Sequence, residues 1–221
     1  MMPAESTSLE IVPVVSRLFE ENAYVVWRSD GDRAVVIDPG SDAEAIERTL
    51  LEHHLQLAAI LNTHGHADHI VGNEFLKRCW PDAPLVIGAG DAPKLTDARA
   101  NLSASYGVPI VSPPADRTVK DGEVVELAGV RFHVRETPGH SAGHVVYLVE
   151  QAEPYRVFGG DVLFAGGIGR SDFPDGDPAA LYRSITSVLY ALPDETIVYP
   201  GHGPATTVGH ERRTNPFLRV S

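Results

Sequence analysis

Residues 63–69 read Thr-His-Gly-His-Ala-Asp-His, which puts four metal-binding side chains, His64, His66, Asp68 and His69, within one short run. Imidazole and carboxylate are the donors that zinc, iron and manganese take in catalytic sites. The run directly follows Leu57–Leu61, an apolar stretch of buried-strand type, so the donors are expected on a loop at a strand end. In an extended segment residues two apart point to one side, so His64 and His66 can share an ion. Asp68 and His69 are adjacent and open the next helix. They project elsewhere and are better placed for a second ion.

The same strand-end logic finds further donors. His140 lies in Thr137-Pro138-Gly139-His140, just past the strand Val130–Arg135. Asp161 lies in Gly159-Gly160-Asp161, past Arg156–Phe158, and His202 in Pro200-Gly201-His202-Gly203, past Thr196–Val198. Asp38 ends the strand Arg33–Ile37. Glycine beside a ligand lets the backbone turn sharply and leaves room for an ion and a substrate. Seven candidate ligands are too many for one tetrahedral ion but suit two, with a carboxylate such as Asp161 bridging them.

Around these loops the chain reads as strands followed by helix–strand pairs, twice over. Leu9–Val15, Ala23–Trp27 and Arg33–Ile37 are strands, the last two joined by the hairpin turn Ser29-Asp30-Gly31-Asp32. Ser41 or Asp42 is positioned to N-cap a helix with Ile46, Leu50 and Leu57 on one face. Ile70–Trp80 is predicted as a helix, Pro84–Ile87 as a strand, 89–106 as helical with soft boundaries, and Val108–Thr118 as a proline-rich loop. Val124–Leu127 and Val130–Arg135 are strands, Val145–Val149 with Arg156–Gly159 a hairpin, and Ala179–Leu192 an amphipathic helix. Thr196–Tyr199 is the last strand and 206–213 a closing helix. This order implies two packed sheets with helices outside.

Composition narrows the function. Eighteen Lys and Arg stand against 30 Asp and Glu, a net charge of −12, and the basic residues are scattered. That balance opposes a nucleic-acid partner. The single cysteine, Cys79, excludes an internal disulfide and fits a reducing, cytoplasmic setting. The start, Met-Met-Pro-Ala-Glu-Ser-Thr-Ser, carries an acid where a signal peptide carries bases, and no apolar run reaches membrane-spanning length.

His64-x-His66-x-Asp68-His69, followed in order by His140, Asp161 and His202, resembles the metallo-β-lactamase superfamily over nearly the whole chain. The resemblance implies an α+β fold, a four-layer αββα sandwich spanning residues 1–221 as one domain, with two divalent metal ions at one edge. It implies that His64, His66 and His140 form one site and Asp68, His69 and His202 the other. Asp161 would bridge them and Asp38 would orient a ligand from behind. Gly160-Asp161-Val162-Leu163-Phe164, Gly169-Arg170-Ser171-Asp172-Phe173-Pro174 and Asn215-Pro216-Phe217-Leu218 look like the short bacterial glyoxalase II enzymes. Those hydrolyse S-D-lactoylglutathione to D-lactate and glutathione, in methylglyoxal detoxification. The implied partner is thus a small glutathione thioester. Only 19 residues follow His202 in this sequence, so the helical extension that contacts glutathione in the longer enzymes is expected to be missing.

The expected chemistry is hydrolysis. Two cations bring the pKa of a bridging water to about 7, giving hydroxide that attacks the thioester carbonyl. Asp68 is expected to assist proton movement as well as to bind metal. Zinc is the expected metal, with iron and manganese equally compatible with His and carboxylate donors. Arg170 is a candidate clamp for a substrate carboxylate, weighed against a structural pair with Asp172 or Asp175. His144 is expected to hydrogen-bond structurally, His53, His54, His133 and His210 to be solvated, and Cys79, Tyr182 and Tyr199 to pack. The alternatives are an iron-dependent persulfide dioxygenase, a lactonase or a β-lactamase. A non-enzymatic metal-binding module would need a closed coordination shell.

Overall fold

Alternate residues of a strand face opposite sides of its sheet, and here the alternation sorts the apolar side chains into three separate cores. Val25, Ala34, Val36 and Ile60 face a first core with the helix residues Ile46, Leu50, Ile70 and Leu76. Their neighbours Val26, Val35, Ile37 and Leu61 face a second core with Phe132, Val134, Tyr147, Val149 and Phe158. Val146, Leu148, Val157 and Val198 face a third, with Leu181, Ile185, Leu189 and Val208. Three cores require four layers, the αββα sandwich.

The computed structural model describes residues 8–218. Residues 1–7, on which the expectation of no signal peptide rests, lie outside the described residues. The first half of the chain runs β1 (Leu9–Val15), β2 (Asn22–Arg28), β3 (Arg33–Ile37), α1 (Ala43–Glu52), β4 (Gln56–Asn62), α2 (Ala67–Ile70), α3 (Asn73–Cys79), β5 (Leu85–Gly88) and β6 (Arg117–Val119). The second half runs β7 (Val124–Leu127), β8 (Val130–Glu136), β9 (Val145–Val149), β10 (Arg156–Gly160), β11 (Leu163–Phe164) and β12 (Gly167–Ile168). It ends with α4 (Pro178–Ser184), β13 (Ile197–Pro200), β14 (Thr206–Thr207) and α5 (Val208–Thr214). One sheet has the order β1-β2-β3-β4-β5-β6, the other β14-β13-β10-β9-β8-β7, and β11-β12 is a small hairpin.

Strand direction decides where the loops meet. β3, β4, β5 and β6 are parallel, and so are β10 and β13. β8 and β10 are each antiparallel to β9 and so share a direction. The carboxyl ends of β3, β4, β8, β10 and β13 therefore deliver Asp38, His64, His140, Asp161 and His202 to one edge, where such folds bind ligands. The sheets are pinned together there: Val145 N–H donates to Thr63 O at 2.8 Å, and the Tyr147 hydroxyl donates to Asn62 O at 3.0 Å.

Several expectations are corrected. The helix at Ile70–Trp80 is two short pieces, interrupted at Val71-Gly72, where Gly72 N–H turns to Pro39 O at 2.9 Å. Only two 3₁₀ turns form within 89–106, at Ala92–Thr96 and Ser103–Tyr106. The loop expected over Val108–Thr118 ends in the strand β6, because its backbone completes the ladder of β5. Leu57 belongs to β4 and not to the α1 face. Asp42 sits at the N-terminus of α1, but its carboxylate accepts from Arg17 instead of capping. Helix α4 is capped by Asp177 and continues into a π turn over Ile185–Leu189. No helix among the described residues is long and apolar enough to cross a membrane.

The inter-sheet core carries the sandwich. Phe132 is fully buried against Tyr147 and Phe158, so Phe132→Ala is expected to cost about 3–5 kcal/mol in urea unfolding. Phe217→Ala, at an exposed ring, is expected to stay within about 0.5 kcal/mol.

Candidate metal centre

The loop after β4 is extended at His66 and enters α2 at Ala67, so its four donors split into two directions. His64 Nε2 lies 3.2 Å from His140 Nε2, and His66 Nδ1 lies 2.8 Å from the same atom. On the other side, His202 Nε2 is 3.3 Å from Asp68 Oδ2, and His69 Nε2 is 3.8 Å from that oxygen. Asp161 stands between the groups. Its Oδ2 is 3.6 Å from His140 Nε2 and 3.8 Å from His202 Nε2, and its Oδ1 is 3.5 Å from His69 Nε2. All seven sequence-predicted donors thus meet at one edge.

Asp38 sits behind them at the end of β3. It accepts from Thr63 N–H at 2.7 Å and from the Thr63 hydroxyl at 2.6 Å, and its Oδ2 lies 3.1 Å from His69 Nδ1. His69 is thereby turned so that Nε2 faces Asp68 and Asp161. His144 is buried, with Nδ1 2.9 Å from Thr137 Oγ1 and Nε2 accepting from Asp161 N–H at 3.2 Å, the structural part expected of it. Two glycines make this crowding feasible. Gly160 has φ +46°, and a Cβ there would lie 2.4 Å from Thr63 Oγ1. A Cβ on Gly201 would lie 2.2 Å from Asp161 Oδ1.

Charge is distributed unevenly over the two groups. Burial holds His64, His66, His140 and His144 below the ordinary imidazole range, with His66 pushed down to about 3. Neutral rings with free lone pairs are what a cation needs. Burial would also lower His69 and His202, but their carboxylate neighbours outweigh it and raise both, Asp68 and Asp161 together with Asp38 at His69, and Asp68 and Asp161 at His202. Burial would likewise raise Asp68 and Asp161, and the imidazoles outweigh it, holding both carboxyls low.

The donor set fits divalent ions. A tetrahedral ion with bonds of ~2.0–2.1 Å keeps its nitrogens about 3.4 Å apart, close to the 3.2 Å between His64 and His140. His66 Nε2, His69 Nε2 and Asp161 Oδ1 are buried without hydrogen-bond partners, a cost that ligation of this cluster can offset at His69 and Asp161. His64, His66 and His140 form one group able to hold an ion, and Asp68, His69 and His202 another.

Arg170 does not point into this cluster. Its guanidinium makes two 2.9 Å contacts with Asp172, lies 4.6 Å from the Phe173 ring centre, and is exposed; its carbonyl, not its side chain, meets His140 Nδ1 at 2.8 Å. Asp175 pairs with Lys94. Phe173 packs edge-on against His66 and His140 at 5.1 and 5.4 Å. Cys79 is exposed beside Glu47, because α3 ends at the surface, so the packed thiol expected there is not found. His53, His54 and His210 are exposed, and His133 is half-buried beside Glu150. Tyr199 packs on Phe158 and Tyr24, whereas Tyr182 is exposed.

Sequence reasoning missed three buried acids, Glu21, Asp91 and Glu211. Glu21, just before β2, has neither carboxylate oxygen hydrogen-bonded, and burial pushes its pKa well up. Nothing in its local sequence marks it. Asp91 follows Gly88-Ala89-Gly90 after β5, the strand–glycine–acid pattern that identified Asp161, and could have been found by it.

A four-layer sandwich with His and Asp donors gathered at its strand ends defines a metallo-hydrolase class of protein. The chain belongs to the metallo-β-lactamase superfamily, whose pattern matches residues 17–202. It is 37% identical to hydroxyacylglutathione hydrolase GloC of Haemophilus influenzae, over 96% of this chain and 98% of that one. Among solved structures it matches BLEG-1 B3 metallo-β-lactamase with a TM-score of 0.90 and 37% identity, covering 95% and 99% of the two chains. It also matches TTHA1623 in a di-iron-bound form, with a TM-score of 0.81 and 40% identity over 94% and 100%. The fold with its His and Asp groups implies divalent metals.

The charge pattern sets a pH profile for chelator-treated protein. As pH falls below ~6.5 the four depressed histidines bind protons more readily in the unfolded chain than in the folded one, so stability drops, while the raised Glu21 carboxyl acts in the opposite direction. His69 and His202 stabilise fully below pH ~6.5, and that contribution is lost as pH rises through their raised values. Asp68 and Asp161 lose theirs only below pH ~4. Urea midpoints at several pH values are expected to peak near 6.5; a steady rise into the alkaline range would contradict the pairing at His69 and His202.

Proposed function

We propose that the protein is a metal-dependent thioester hydrolase that cleaves S-D-lactoylglutathione to D-lactate and glutathione. The observation that carries this reading is the match, over nearly all of both chains, to hydroxyacylglutathione hydrolase GloC. His64, His66 and His140 would hold one ion, Asp68, His69 and His202 the other, and Asp161, within 3.8 Å of nitrogens from both groups, would bridge. When bound, two divalent ions supply Lewis acidity, bringing a water's pKa toward ~7 and stabilising negative charge on a carbonyl oxygen.

The chain's own residues do the rest. Asp38 fixes the ring of His69 through Nδ1, so that Nε2 stays aimed at the cluster. Asp68, the partly exposed carboxylate of the set, assists the movement of the released proton towards solvent. Phe173 covers His66 and His140 and keeps bulk water from that side. The leaving group is a thiol of pKa ~8.5, which departs as thiolate without a strong general acid. Arg170, in an exposed pair with Asp172, exchanges that partner for a glutathione carboxylate.

A second reading, β-lactam hydrolysis, is favoured by the match to BLEG-1 B3 metallo-β-lactamase. Its leaving group is an amine, which needs a proton that a thiolate does not. Elemental analysis combined with turnover of S-D-lactoylglutathione, a chromogenic cephalosporin and glutathione persulfide separates the readings. Two metals per chain and preferred thioester cleavage are expected; sulfite from the persulfide with one iron per chain would point to a dioxygenase. Asp161→Ala is expected to lose most turnover and to retain less metal. Arg170→Met is expected to raise KM about tenfold at nearly constant kcat, the mark of lost ground-state binding.

A further inference from the structure

Asp91 is fully buried in the loop after β5, outside the seven donors, yet it contacts the backbone that carries three of them. Gly65, between His64 and His66, donates its N–H to Asp91 Oδ2 at 2.9 Å. Ser141, next to His140, donates its hydroxyl to the same oxygen at 2.7 Å. Gly143 donates its N–H to Oδ1 at 2.8 Å. One carboxylate thus ties together two ligand segments from different sheets, each at the residue adjoining an imidazole.

The charge is balanced locally. Lys94 Nζ, almost fully buried, lies 3.2 Å from Asp91 and 2.6 Å from Asp175. Asp175 in turn accepts Ala142 N–H at 3.0 Å, within the same turn that follows His140. Packing closes the arrangement: a Cβ on Gly65 would lie 2.6 Å from Lys94 Cβ, so the His64–His66 loop rests directly on the lysine stem. A neutral acceptor cannot replace this carboxylate. Asn offers one oxygen, and its amide would point donors at N–H, O–H and ammonium groups that need an acceptor.

We infer that Asp91, with Lys94 as its counter-ion, is the positioning residue that sets the spacing between the His64–His66 loop and His140, and thereby the metal affinity of the three-histidine group. Asp91 touches no donor atom; it acts through the backbone of Gly65 and the side chain of Ser141. The inference rests on the proposed metal cradle.

Zinc(II) titration of the full-length, metal-stripped chain, followed by chelator competition, tests it without substrate. Wild type is expected to bind zinc in two resolvable steps. Asp91→Asn is expected to weaken one step about 10–100-fold and leave the other within twofold. Ser141→Ala removes a single hydrogen bond, the milder change, and is expected to weaken the same step by a smaller factor. Phe132→Ala, which loosens the core away from the site, reports what a merely structural effect does, and is expected to leave both steps unchanged. Wild-type affinities in both Asp91→Asn and Ser141→Ala, or parallel weakening of both steps, would overturn the inference while leaving the cradle intact. Failure of wild type to bind zinc would overturn the cradle itself, and the inference with it.

Discussion

A carboxylate or imidazolium buried alone costs several kcal/mol, so groups of this kind enter a protein interior only in company. At one edge of this sandwich Asp161 and Asp68 are set against His69 and His202, while His64, His66 and His140 are kept neutral by burial. The architecture serves that balance. Parallel β3 and β4 and parallel β10 and β13 bring their carboxyl ends to the same edge, where β4, β10 and β13 contribute donors and β3 contributes Asp38 behind them. An antiparallel arrangement of those pairs would send half the donors to the opposite end.

Around the cluster lies a shell of groups whose work is orientation. Asp38 holds Thr63 and His69, His144 holds Asp161 N–H, and Asn22 and Tyr24 hold the His202 loop through Pro200 O at 3.0 and 2.6 Å. Asp91 holds the loops of the three-histidine group. Low dielectric strengthens each of these bonds and makes an unpaired one costly, so the shell resists distortion of the donors. The exposed side is different. Phe173 packs on His66 and His140, and the Arg170–Asp172 pair beside it is exposed.

Much of this was legible in the residues. The strand at 57–61 and the donor run behind it belong together because a buried strand must end where its polar loop meets solvent or a site. The αββα layering followed from the strand and helix order. Element edges were less legible. The helix at 70–80 breaks because Gly72 N–H is taken by Pro39 O, and β6 exists because β5 offers it a ladder, both contacts between segments distant in sequence. Cys79 reads as apolar but stands at a helix end that reaches the surface.

The sequence by itself carried the seven candidate donors, the split of the first four between His64-His66 and Asp68-His69, and the resemblance that points to the superfamily. Spacing alone is enough to put residues two apart on one side of an extended segment. Tertiary structure decided which rings are neutral and which are paired, that Arg170 rests on Asp172, and that Asp91 underlies the histidine loops. Burial and through-space charge are properties of the assembled layers, and a linear pattern does not carry the distances on which they depend.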